Sequence, residues 1–123
     1  MTPLMWAARR HRPEAVEWLL ARGADLHLRT PGRGTALVAT ADSRGGSDML
    51  QLLLARGADP DARDASGFTA LMYAVQNKDL ASAATLIRAG AAVNARDHVG
   101  QTALFIAEGD EPMNELLLAA GAR

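Results

Sequence analysis

Asp64-Ala65-Ser66-Gly67-Phe68-Thr69-Ala70-Leu71-Met72-Tyr73-Ala74, followed after a gap by Ile87-Arg88-Ala89-Gly90-Ala91-Ala92-Val93-Asn94-Ala95, decides how the chain is read. A polar turn leads to a threonine and a short apolar run. A second apolar run then ends on a glycine. The threonine hydroxyl is placed to cap a helix. The glycine is placed to end another, because it takes the left-handed conformation without a Cβ clash.

The same unit recurs along the whole chain. Thr-x-Leu stands at Thr2-Leu4, Thr35-Leu37, Thr69-Leu71 and Thr102-Leu104, with spacings of 33, 34 and 33 residues. Gly-Ala stands at Gly23-Ala24, Gly57-Ala58, Gly90-Ala91 and Gly121-Ala122, each behind a leucine pair or Leu86-Ile87. Two independent anchors in phase through four copies define an internal repeat. Each unit predicts a helix, a break, a second helix and a polar turn or short hairpin. The breaks fall at His11-Arg12-Pro13, Ser43-Arg44-Gly45-Gly46, Asn77-Lys78-Asp79 and Gly109-Asp110-Glu111-Pro112. Residues 49–55 and 115–120 read as buried helices, and Trp18 as a core residue.

Composition agrees. The chain has 123 residues, net charge −1, 49% hydrophobic and 22% charged residues, and no cysteine. These values fit one folded domain. They exclude disulfides and thiolate chemistry, and argue against nucleic acid or membrane insertion as a partner. The 26 alanines and few aromatics favour helices in close contact. Without a leader or a spanning segment, a cytoplasmic location is expected.

The pattern resembles the ankyrin repeat over essentially the whole chain. Residues 64–74 and 87–95 are close to that family's D-x-x-G-x-T-P-L-H-x-A and L-L-x-x-G-A-D-V-N-A. The resemblance implies an all-α repeat solenoid of helix-turn-helix pairs joined by β-turn or hairpin segments. It forms a single domain with approximate repeats 1–29, 30–63, 64–96 and 97–123. Departures are visible. Met5, Val38, Met72 and Phe105 replace the family histidine, so apolar packing is expected there. Thr40 replaces an alanine, and the fourth unit is short enough to stunt its first helix. The abrupt terminal units predict a longer parent chain.

The resemblance also implies function. In this family the turn tips and the exposed side of each first helix form a concave surface that binds proteins. By repeat phase the tips are Arg29 and Arg33; Arg63, Ala65, Ser66 and Phe68; and Arg96, His98, Val99 and Gln101. The helix-side positions are Arg9 and Arg10, Asp42 and Ser43, and Gln76 and Asn77. Arg29, Arg63 and Arg96 share one phase. Either they anchor acidic groups of a partner or they pair with Asp61, Asp64 and Asp97; Arg29, with no acid after it, reads as the free anchor. Phe68 is either an exposed hot spot or packed on a neighbouring turn. Trp6 and Tyr73 share a helix phase that lines the groove or plugs the core.

Catalysis is not expected. His11, His27 and His98 fall at different phases and read as three separated, exposed histidines, with no metal or cofactor set. The expected function is a non-catalytic protein-binding module. The alternatives are a stoichiometric inhibitor or immunity-type binder of bacterial origin, or a spacer or targeting segment of a larger protein. A monomer is expected, with end-to-end contacts at the terminal repeats. Charge is mildly polarised: residues 1–63 hold nine arginines against seven acids, residues 64–123 four bases against seven acids.

Overall fold

A computed structural model describes all 123 residues. Eight helices follow one another: α1 (Pro3–Arg9), α2 (Pro13–Ala21), α3 (Ala36–Ala41), α4 (Ser47–Ala55), α5 (Ala70–Gln76), α6 (Leu80–Arg88), α7 (Ala103–Ile106) and α8 (Glu111–Ala119). They pair as α1–α2, α3–α4, α5–α6 and α7–α8. The first helices stack as one layer, α1 on α3 on α5 on α7. In the other layer α4 lies against α6, and α6 against α8. One continuous core runs between the layers, built from Leu4, Leu37 and Leu71 of the first and Leu50, Leu53, Leu86 and Leu117 of the second. No helix is long and apolar enough to cross a membrane.

Local chemistry sets the helix ends. The hydroxyls of Thr2, Thr69 and Thr102 accept the amides of Met5, Met72 and Phe105 at 3.1, 3.3 and 3.3 Å. The expected fourth cap is absent: the Thr35 hydroxyl is buried and makes no such bond. The second helices end two residues before their glycine. At Gly57, φ is +97°; its amide donates to Leu54, and that of Ala58 to Leu53, both at 3.0 Å. This paired closure repeats at Gly23, Gly90 and Gly121 and turns the apolar alanine that follows back toward the core.

Within each pair, the turn between helices needs one left-handed residue. Gly45 and Gly109 supply it without strain; His11 and Lys78 adopt φ of +57° and +58° despite their side chains. Thr40 fits the core position of an alanine because its hydroxyl donates to the Ala36 carbonyl at 2.9 Å.

The connections are turns, as expected, with isolated bridges from Thr30 to Gly34 and from Arg63 to Thr69. Other expectations need correction. Trp18 is not core: it is 55% exposed. Its counterparts Leu52 and Leu116 are half-buried and Thr85 is buried; each belongs to a pair with another stacked before it, which α2 does not. Met5, Val38 and Met72 are buried as expected, but Phe105, at the outer side of the last pair, is 57% exposed. His11 is half-buried, while His27 and His98 are exposed. The stunted α7, four residues long, is as expected.

Candidate protein-binding face

The face is built first from its turns. Asp64 is buried, yet each oxygen has work within the turn. Oδ1 accepts the amides of Ser66 and Phe68 at 2.9 and 3.0 Å, and Oδ2 accepts the Tyr73 hydroxyl. Asp97 repeats the first half, its Oδ1 accepting the amides of Val99 and Gln101 at 3.0 and 2.9 Å. These carboxylates close the turns from inside.

The turns are then tied to each other. Arg29 donates to the Arg63 carbonyl, Arg63 to the Arg96 carbonyl, and Arg96 to Gly100 of its own turn at 2.9 Å. Arg29 is therefore not a free anchor, and the arginine ladder does not pair with Asp61, Asp64 or Asp97; its partners are backbone carbonyls. The His98 amide donates to the Ser66 carbonyl at 3.0 Å. Gly67, at φ +79°, is required beneath it: a Cβ there would come within 2.6 Å of the His98 ring. Farther down the same connections, Asp61 accepts the Ala92 amide at 2.7 Å, and Asn94 accepts that of Arg123 at 3.0 Å.

The first helices are linked in the same manner. Arg9 lies 3.8 Å from Asp42. The Asn77 amide donates to the carbonyls of Ala41 and Asp42 at 3.2 Å each. Asp79 accepts the Gly45 amide at 2.9 Å and the Ser82 hydroxyl at 2.7 Å. Burial pushes the Asp79 carboxyl up, but the Ser82 and Gly45 bonds, with Arg44, outweigh it and hold it below its ordinary value.

Between turns and helices lies a recess of about 310 Å³. Pro31, Gly32 and Arg33 form its turn side; Val38, Ala39 and Asp42 of α3, with Tyr73 of α5, form its helix side. Tyr73 is raised well above an ordinary tyrosine by burial first, then by its bond to Asp64 and the charges of Asp64 and Asp42. Its ring leans on Phe68, centroids 5.0 Å apart and planes 59° apart. Phe68 is thus half-buried packing as much as surface.

The site residues named from sequence fall into three groups. Arg33, Gln76, His98 and Val99 are exposed, and their own side chains make no hydrogen bond; Val99 is 78% exposed. Arg29, Arg63, Arg96, Phe68, Gln101, Arg9, Asp42 and Asn77 take part in the internal ties above or pack beside them. Ser66 is exposed beside this set, and Ser43 is half-buried. Arg10 stands apart: it lies over the Trp6 ring at 4.8 Å, in a separate hollow at the α1–α2 end. Sequence reasoning left Tyr73 undecided and missed Pro31, Val38 and Ala39. The only signal was the phase Tyr73 shares with Ala39. No group of three or more His, Asp or Glu side chains converges to hold a metal ion.

Comparison with known families agrees with this geometry. Residues 36–123 match a model of three ankyrin repeats, and residues 1–31 match a single ankyrin repeat. The chain belongs to the ankyrin-repeat family, whose members generally serve protein–protein interaction. A search of curated proteins finds no match to this chain.

Proposed function

We propose that the chain is a non-catalytic recognition module that binds a protein through the face formed by its turns and first helices. The observation that carries this reading is the contrast within that face. Its backbone is held by Asp64, Asp97 and the arginine ladder, while the side chains of Arg33, Gln76, His98 and Val99 project from it without a hydrogen bond. A partner meeting such a face orders few groups on binding, which leaves more of the contact energy as affinity. The recess beside Tyr73 offers a site for one inserted side chain.

Affinity capture from lysate tests this, using the chain and a variant with Arg33, Gln76, His98 and Val99 changed to alanine. All four are exposed, so the variant keeps its helical circular-dichroism spectrum. A protein held by the first bait and lost by the second is the expected result. Equal retention by both moves the interface off this face.

A further inference from the structure

Charge is sorted by layer in this stack. The turns at 29–34, 62–69 and 95–102 hold Arg29, Arg33, Arg63 and Arg96. Their only acids, Asp64 and Asp97, are buried, and in each Oδ1 accepts two amides of its own turn. The first helices contain no acid, and Asp42, just past α3, lies 3.8 Å from Arg9. The second helices carry Glu14, Glu17, Asp48, Glu111 and Glu115 against one base, Arg88.

The ladder holds the turn charges in place without cancelling them. Arg29, Arg63 and Arg96 donate to carbonyls, which leave most of the N–H donors of each guanidinium and all of its charge. The two ion pairs of the chain, Arg9 with Asp42 and Arg56 with Glu17, include none of these three, nor Arg33. Arg29 and Arg96 are exposed and Arg63 is half-buried. A guanidinium already tied in position loses little freedom when it pairs with a carboxylate.

The stack also sets the interval of the row. The three arginines belong to successive connections, and packed helices stand roughly 8–10 Å apart. In polyproline II conformation a polypeptide rises about 3.1 Å per residue with three residues per turn, so every third side chain returns to the same side after about 9 Å. A β-strand would put residues three apart on opposite sides.

Taking the turns and first helices as the recognition face, on which this step rests, we infer that the partner lays an acidic, extended segment along the turn tips. It carries Asp or Glu at every third residue, one carboxylate each for Arg29, Arg63 and Arg96. Arg33, beside the recess, adds a further cation at the Arg29 end. A single-stranded nucleic acid would match the charge but not the surface. Phe68, the only Phe, Tyr or Trp of these turns, is half-buried against Tyr73. That leaves the His98 ring alone for a base to stack on.

Fluorescence anisotropy with labelled synthetic peptides tests the row. The probe is a short Pro- and Ser-rich peptide with three Glu set three residues apart. One control has the same composition with the three Glu adjacent, another has Gln for Glu, and a third is a single-stranded oligonucleotide of equal charge. The spaced peptide is expected to bind about tenfold more tightly than the adjacent one, and more weakly as salt is added. The Gln peptide is expected not to bind. The double variant Arg29→Gln/Arg96→Gln is expected to weaken the spaced peptide by about tenfold, and Arg29→Lys/Arg96→Lys to restore part of that loss. Arg33→Ala, which breaks no hydrogen bond, is expected to weaken it by about threefold. Helical circular-dichroism spectra check each fold. Equal binding of spaced and adjacent peptides overturns the inference, as does tighter binding of the oligonucleotide or no binding at millimolar chain. A captured protein that the four-alanine variant loses and Arg29→Gln/Arg96→Gln still holds also overturns it, while leaving the recognition face in place. A captured protein held by both variants removes the face itself.

Discussion

Asp64 and Tyr73 are joined beside the recess: the tyrosine hydroxyl donates to Oδ2 of a carboxylate whose other oxygen holds the Ser66 and Phe68 amides. One buried side chain thus fixes a turn tip to the helix whose Tyr73 lines the recess. The shape of the face depends on that link.

Asp64→Ala removes three hydrogen bonds to a charged group at once. A loss of about 2–4 kcal/mol is expected in urea denaturation, against about 1–2 kcal/mol for Tyr73→Phe. The double variant is expected to lose less than the sum of the two, because the shared bond is counted in both single changes. Strict additivity would mean that the two groups do not interact.

Tyr73 also sets an alkaline limit. Its proton is held above the ordinary tyrosine range in the folded chain. Stability from this group is constant below about pH 10, where both states are protonated. Above that, the unfolded chain releases the proton first, so stability falls as pH rises toward the folded value. Tyr73→Phe is expected to flatten this fall when denaturation midpoints are followed from pH 9 upward. An unchanged slope would contradict the buried bond.

Asp79 acts at the other end of the scale. Its carboxyl is held below its ordinary value of 3.8, so its contribution is complete well above that value. It is lost as pH falls through the ordinary range toward the lower folded value. Asp79→Ala is expected to cost about 1–2 kcal/mol at neutral pH, since it removes a helix cap and the tie to Gly45. The difference from wild type is expected to shrink in acid. A difference that grows on acidification would reverse the assignment.

Leu53 and Trp18 both sit on second helices, and only one is core. Leu53→Ala is expected to cost about 2–5 kcal/mol, and Trp18→Ala no more than about 0.5 kcal/mol at dilute concentration. Lys78→Gly is expected to stabilise by about 0.5–1 kcal/mol, since it relieves a left-handed residue where Gly45 and Gly109 show glycine to fit. Thermal and urea denaturation read all three. A destabilised Lys78→Gly would mean that its side chain contributes more than its backbone strain costs.

The repeat made the fold readable. Threonine and glycine anchors act locally, so their spacing alone gives the helix pairs, their order and the short α7. The face was less readable, because its bonds run between units. Nothing in the phase of Arg29 says that it reaches the Arg63 carbonyl, and the lack of a following acid suggested freedom instead. Trp18 was misread for a related reason. Its periodicity is that of a core residue, and only its place in the first pair, with nothing stacked before it, leaves it exposed. Asp64 and Tyr73 are nine residues apart, a separation set by the turn geometry and not by helical period.

Amide hydrogen exchange on the chain alone and bound to its captured partner locates the interface. Binding through the proposed face is expected to slow exchange at residues 31–33, 65–68 and 98–101 and along α3 and α5, with α4, α6 and α8 unchanged. Protection confined to the second helices or to the two ends would contradict recognition through the turns and first helices.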